Sequence, residues 1–190
     1  MCIRDSLALL WNQYSGESVK RHSGLKFIKA LVESARFQKN TRQLWVMPSG
    51  DDRKACQIYL ESLGIDLPDT AFYEAPYYSD PEVTDSQLLD QIRTERPDYV
   101  ILAIAGGKQE ILGHWLTKRL DYEPTIVCIG AAIAFLTGRQ ATIPDWADRI
   151  YIGWLLRILS NPGTFLPRYW NARTLKALIK QWGPECPEPK

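Results

Sequence analysis

The sequence predicts an α/β fold: a mainly parallel sheet with helices on both faces. Three observations predict it. Two apolar runs, Tyr99 to Ala105 and Thr125 to Ile129, have the length of buried strands, and glycine follows each. A helical pattern of apolar residues comes after each run. Upstream, helical and strand patterns alternate, which argues for parallel strands joined by right-handed crossovers.

Residues 1–14 carry little pattern. Ser23-Gly24 precedes Leu25, Ile28, Leu31 and Val32, whose spacing of three and four predicts an amphipathic helix to about Phe37. Leu44 to Met47 is a short strand, ended by Pro48-Ser49-Gly50-Asp51. Ser49 or Asp51 caps a helix that runs to Leu63, with Gly64 as its stop. Ala71 to Ala75 is a further strand, and Tyr77 to Pro81 a loop. Thr84 or Asp85 opens a helix through Leu88, Leu89 and Ile92 that stops before Pro97. The expected division is an ill-defined start at 1–14, an α/β domain at 15–150, a basic and aromatic C-terminal appendage at 151–182 and a frayed tail at 183–190.

Composition narrows the function. Hydrophobic residues make up 45% of the 190, enough for a globular core. No apolar run approaches the roughly 18–20 residues that cross a bilayer. Cys2, Cys56, Cys128 and Cys186 are scattered, without a Cys-x-x-Cys pair or a histidine cluster, so they read as reduced thiols, with Cys128 in the core. His22 and His114 stand apart and read as structural. The net charge of +1 hides a segregation: Asp51 to Asp98 holds twelve acids and four bases, Arg149 to Trp182 six bases and no acid. A region of that kind suits an anionic partner. The near-neutral total and the absence of a DNA- or RNA-binding motif argue against nucleic acid.

Candidate chemistry lies where the two apolar runs end, because ligands of open α/β sheets bind beyond the strand C-termini. In Gly106-Gly107-Lys108-Gln109-Glu110, glycine allows close backbone approach, a helix start offers N–H groups and lysine adds positive charge, all suited to a diphosphate. An ordinary strand-to-helix turn has the same pattern. Gly130, Ala131, Ala132 and Ala134 are small enough to admit a ligand or to pack tightly. From Trp154 onward large apolar and basic residues alternate, and four of the seven tryptophans lie at or after Trp146. That suits a helix on an anionic membrane surface, or one docked on the domain with its cations in water.

Read in order, Ala105 to Glu110, Ile129 to Gly138, Ala141-Thr142-Ile143-Pro144, Ile152 to Arg157 and Arg168-Tyr169 resemble the successive motifs of the WecG/TagA/CpsF bacterial glycosyltransferases, glycosyltransferase family 26. In that family they read G-x-P-K-Q-E, V-G-x-x-F-D-F-x-x-G, R-A-P, G-L-E-W-x-x-R and R-Y. This chain departs from them at several places. Gly107 replaces proline, Ile133 phenylalanine, Ala134 aspartate and Gly153 glutamate, and Ala141 to Ile143 lack the arginine. The family's aspartate-bearing N-terminal segment, with its proposed general base, has no counterpart ahead of Ser15, so a truncated start is expected.

The resemblance implies a Rossmann-like domain with a C-terminal helical appendage, and a transferase that moves an N-acetylmannosamine-like sugar from a UDP-sugar to a polyprenyl-diphosphate-linked acceptor during polysaccharide assembly. It implies no metal or cofactor, since the UDP-sugar is a substrate. It places the protein in the cytoplasm, peripheral on the inner membrane face through the C-terminal appendage, and allows homo-oligomers. The substrate-binding residues expected are Gly106, Gly107, Lys108, Gln109, Glu110, Gly130 and Ala132. Arg157 and Arg168 match arginines that engage donor phosphates. No catalytic residue is identified. The alternative is a non-catalytic nucleotide-sugar-binding relative that serves as an assembly module.

Overall fold

Alternation along the strands sorts their side chains onto two apolar faces, and each face carries its own helices. A computed structural model of the chain describes residues 3–19, 24–34, 37, 41–79, 82–139, 163, 170 and 174–183. The chain divides into two compact units, Ser23–Ala141 and Met1–His22 with Thr142–Lys190. In the first, α2 (Gly24–Glu33), β1 (Gln43–Met47), α3 (Gly50–Ser62), β2 (Phe72–Glu74), α4 (Ser86–Glu95), β3 (Tyr99–Leu102), α5 (Lys108–Thr117), β4 (Thr125–Cys128) and α6 (Ala132–Leu136) follow in order. The second unit holds α1 (Ile3–Ser15) and α7 (Leu175–Trp182).

The four strands lie in the order β2-β1-β3-β4 and every pairing is parallel. Trp45, Met47 and Ile101 face one side, where Ile28 and Val32 of α2, Cys56 and Leu60 of α3, and Ile133 of α6 cover them. Leu44, Val46, Val100 and Leu102 face the other, covered by Leu88 and Ile92 of α4 and Leu112 and Leu116 of α5. Because both sides are buried, the strands read as continuous apolar runs instead of alternating ones. Burying one such side chain contributes roughly 1.5–3 kcal/mol. Burial also pushes the Cys56 thiol up to about 12, so it stays protonated.

The turns follow the local chemistry. The Ser49 hydroxyl accepts the Asp52 N–H and caps α3, which ends at Leu63 before Gly64. Asp85 caps α4 by accepting the Leu88 N–H at 2.9 Å, and Arg96, in the left-handed region at φ 44°, ends that helix just before Pro97. β3 is shorter than its apolar run. Ala103 still donates to the Val46 carbonyl at 2.9 Å, but Pro48, the next β1 position on that side, has no N–H to continue the ladder. The start of the chain, patternless in sequence, holds helix α1.

One expectation is corrected. Cys128 is exposed instead of sitting in the core. Among the described residues β4 pairs on one side only, so its side chains are half-buried or exposed. In the second unit, Ile179 of α7 is buried, and Gly183, at φ 56°, leaves room for the Tyr14 hydroxyl of α1, which a Cβ would approach to 2.9 Å.

Candidate functional site

Strand order decides where a ligand belongs. The chain leaves β1 through α3 toward β2, then crosses back through α4 to β3 on the other side of β1. The β1/β3 boundary is therefore the topological switch point, and a crevice opens there beyond the strand C-termini. A cavity of about 230 Å³ occupies this position, lined by Met47 and Pro48 from the end of β1, Asp52, Ala103, and Ala131, Ile133, Ala134, Thr137 and Arg139.

The polar wall of the cavity is built by two elements. Asp52, in the first turn of α3, accepts the Ser49 hydroxyl at 2.6 Å on Oδ2. Arg139, just past α6, places Nε 3.4 Å from Asp52 Oδ1 and Nη2 3.4 Å from Asp51 Oδ2. Glu74 also comes close, since a Cβ on Gly50 would sit 3.1 Å from its Oε2. Acids thus gather at the positive end of α3, where the helix dipole favours them.

Beside the cavity strands, the Gly106–Glu110 turn is organised by its own side chains. Gly107 adopts φ 90°, open to glycine alone at little cost. The Glu110 carboxylate turns back to accept the Gly107 N–H at 2.6 Å. Buried Gln109 donates to Glu110 Oε1 at 2.8 Å and accepts the Gly130 N–H at 2.6 Å, so it ties the turn after β3 to the turn after β4. Burial opposes ionisation of Glu110, but the hydrogen bonds from Gln109 and from the backbone outweigh it and hold the carboxyl below its usual range. The Gly107 N–H, in the turn expected to hold a diphosphate, therefore already has the Glu110 carboxylate as its partner, and the Gly130 N–H has the Gln109 carbonyl.

A family profile described as Glycosyl transferase WecG/TagA/CpsF family matches residues 1–185. The chain belongs to this family. It is also 28% identical over 101 residues to the N-acetylglucosaminyldiphosphoundecaprenol N-acetyl-beta-D-mannosaminyltransferase of Bacillus spizizenii, a match that covers 50% of this chain and 39% of that relative. The chain therefore spans well under half the length of the curated relative it matches. No solved structure matches it.

The described WecG/TagA/CpsF motif positions, in the turns after β3 and β4, fall at the strand C-termini. Gly106 and Gly107 are exposed, Lys108 is half-buried at the first position of α5, and Gly130, at φ 54°, sits against the Gln109 amide. Ala132 is buried, and α2 packs closely enough that a Cβ on Gly24 would lie 3.7 Å from the Ala132 Cβ. Ala134, where the family motif carries aspartate, lines the same cavity as Asp52, so the cavity's carboxylate comes from α3. Arg157 and Arg168 lie outside the described residues. Asp52, Thr137 and Arg139 escaped the sequence reading. The Pro48–Asp51 break after a strand was visible, but only strand order reveals that it borders the switch point.

Proposed function

We propose that the chain is the nucleotide-sugar-binding part of a glycosyltransferase of cell-surface polysaccharide synthesis. It moves an N-acetylmannosamine-like sugar from a UDP-sugar to a polyprenyl-diphosphate-linked sugar. The observation that carries this reading is the cavity at the β1/β3 switch point, lined by Ala131 next to the Gly130 that Gln109 holds, in a chain of the WecG/TagA/CpsF family. The Bacillus spizizenii relative is named for a transfer of this type.

Transfer proceeds by direct displacement. An acceptor hydroxyl oxygen attacks the anomeric carbon, the bond from that carbon to the diphosphate oxygen breaks, and UDP departs. The hydroxyl proton passes to a general base, a group typically worth about 10²–10⁴-fold in rate. No residue described here is assigned that role. Lys108 offsets charge on the leaving diphosphate, while Gln109 and Glu110 hold the two turns in register.

The Rossmann-like unit does not have to enter the membrane to meet a lipid-linked acceptor. Among the described residues no helix is long and apolar enough to cross a bilayer. On α7, Leu178 and Trp182 are exposed one turn apart, and Lys176 and Lys180 lie on the opposite side of the helix. An apolar strip with cations on the other face supports a peripheral contact with anionic lipid on the cytoplasmic face.

A second reading, a nucleotide-sugar-binding assembly module without transfer, is favoured by Ala134 in the cavity wall and by the carboxylates at the starts of α3 and α5. Incubation with radiolabelled UDP-N-acetylmannosamine and a polyprenyl-diphosphate-linked N-acetylglucosamine, beside a UDP titration, separates the two. Label in the lipid fraction is the expected outcome. Binding without transfer selects the assembly module, and no binding defeats both.

A further inference from the structure

The lining of the switch-point cavity carries one acid and one base, paired with each other, so it offers no net positive charge to a diphosphate and suits a neutral sugar ring. Met47, Ala103 and Ile133 are among its apolar lining residues, while Asp52, Thr137 and Arg139 supply polar groups. Asp51 and Asp52 stand together on the α3 side. At about 230 Å³ the cavity is smaller than the roughly 300–1,000 Å³ that hold a drug-sized ligand, so it takes one ring and not a whole nucleotide sugar.

Asp52 has capacity to spare. An ionised carboxylate offers about four acceptor sites, and the partners described for the Asp52 side chain are the Ser49 hydroxyl at 2.6 Å and Arg139 at a long 3.4 Å. The Thr137 hydroxyl makes only a 3.4 Å bond to the Ala134 carbonyl. A carboxylate that accepts, a hydroxyl that does both and apolar lining side chains suit the hydroxyls and the C–H groups of a pyranose or a ribose.

We infer that this cavity is a neutral-ring subsite, in which Asp52 and Thr137 bind the hydroxyls of one sugar ring of the donor while its diphosphate lies outside, toward Lys108. This rests on the nucleotide-sugar reading above and specifies which part of the donor enters the cavity. Arg139, held by Asp51 and Asp52 at the rim, offsets their charge toward the diphosphate.

The ring is either the hexose, present only in the nucleotide sugar, or the ribose, present in UDP as well. Titration calorimetry of the full chain with UDP and with UDP-N-acetylmannosamine, for wild type, Asp52→Asn and Thr137→Val, tests the assignment. Thermal melts check that the variants are folded. Loss of a hydrogen bond to a charged partner predicts about ten- to hundredfold weaker binding for Asp52→Asn, and a smaller loss for Thr137→Val. A loss confined to the nucleotide sugar places the hexose in the cavity, and an equal loss for both ligands places the ribose there. Wild-type affinity in both folded variants overturns the subsite and leaves the nucleotide-sugar reading standing. A wild-type protein that binds neither ligand overturns both.

Discussion

Asp85 shows how much one residue can organise. Its buried carboxylate caps α4 and also accepts the Tyr73 hydroxyl at 2.9 Å and the Tyr78 hydroxyl at 2.6 Å, so the end of β2, the following loop and α4 meet at one group. Asp85→Ala removes a cap and leaves two phenols without their acceptor, an expected cost of about 2–4 kcal/mol in urea unfolding. Burial first, and then the neighbouring Asp85, push both phenols up from their ordinary value. Since their folded values are raised, the stability they contribute is present below about pH 10, the unfolded value, and is lost as pH rises beyond it. Tyrosinate absorbance should show two phenols that ionise late in the wild type and earlier in Asp85→Ala. The helix cap was legible in sequence. The two tyrosines were not, because they come from a strand and a loop that only folding brings to the cap.

At the scale of the element, α5 illustrates how a helix start can serve its neighbours. Its first turn contains Lys108, Gln109 and Glu110, a pattern that in sequence suits an anion. In the fold, Glu110 satisfies the start of its own helix, and Gln109 reaches across to Gly130. The Glu110 carboxyl is held below the ordinary glutamate value of about 4.3. Its contribution is therefore present above that pH and is lost as pH falls through the lower, folded value. Glu110→Gln should cost roughly 0.3–1 kcal/mol at pH 7, a drop of about 1–4 °C in melting temperature. The gap between wild type and variant should close below about pH 4. A gap of the same size at pH 3 and pH 7 would argue that the carboxylate charge has no part in the turn. Element type and order were readable from apolar spacing here, since β1 and most of β3 are buried on both faces. The clamp was hidden, as periodicity says nothing about which side chain turns back on its own backbone.

For the whole molecule, charge and topology divide the work. The segment Asp51 to Asp98 holds twelve acids against four bases, and Arg149 to Trp182, which overlaps the unit holding α7, holds six bases and no acid. If α7 meets anionic lipid, the full chain should co-sediment with phosphatidylglycerol vesicles, and Lys176→Glu with Lys180→Glu should reduce that binding by one to two orders of magnitude, at about 1 kcal/mol for each cation removed. Equal retention on neutral vesicles would count against the contact. The sequence by itself determined the element order, the parallel character of the sheet and the family, because apolar periodicity and ordered motifs are local properties of the chain. Only the tertiary structure decided that β1 and β3 are neighbours with the switch point between them, and that Asp52 and Arg139, 87 positions apart, form one wall. Crossover direction and side-chain convergence arise from packing between distant segments, and no local pattern encodes them.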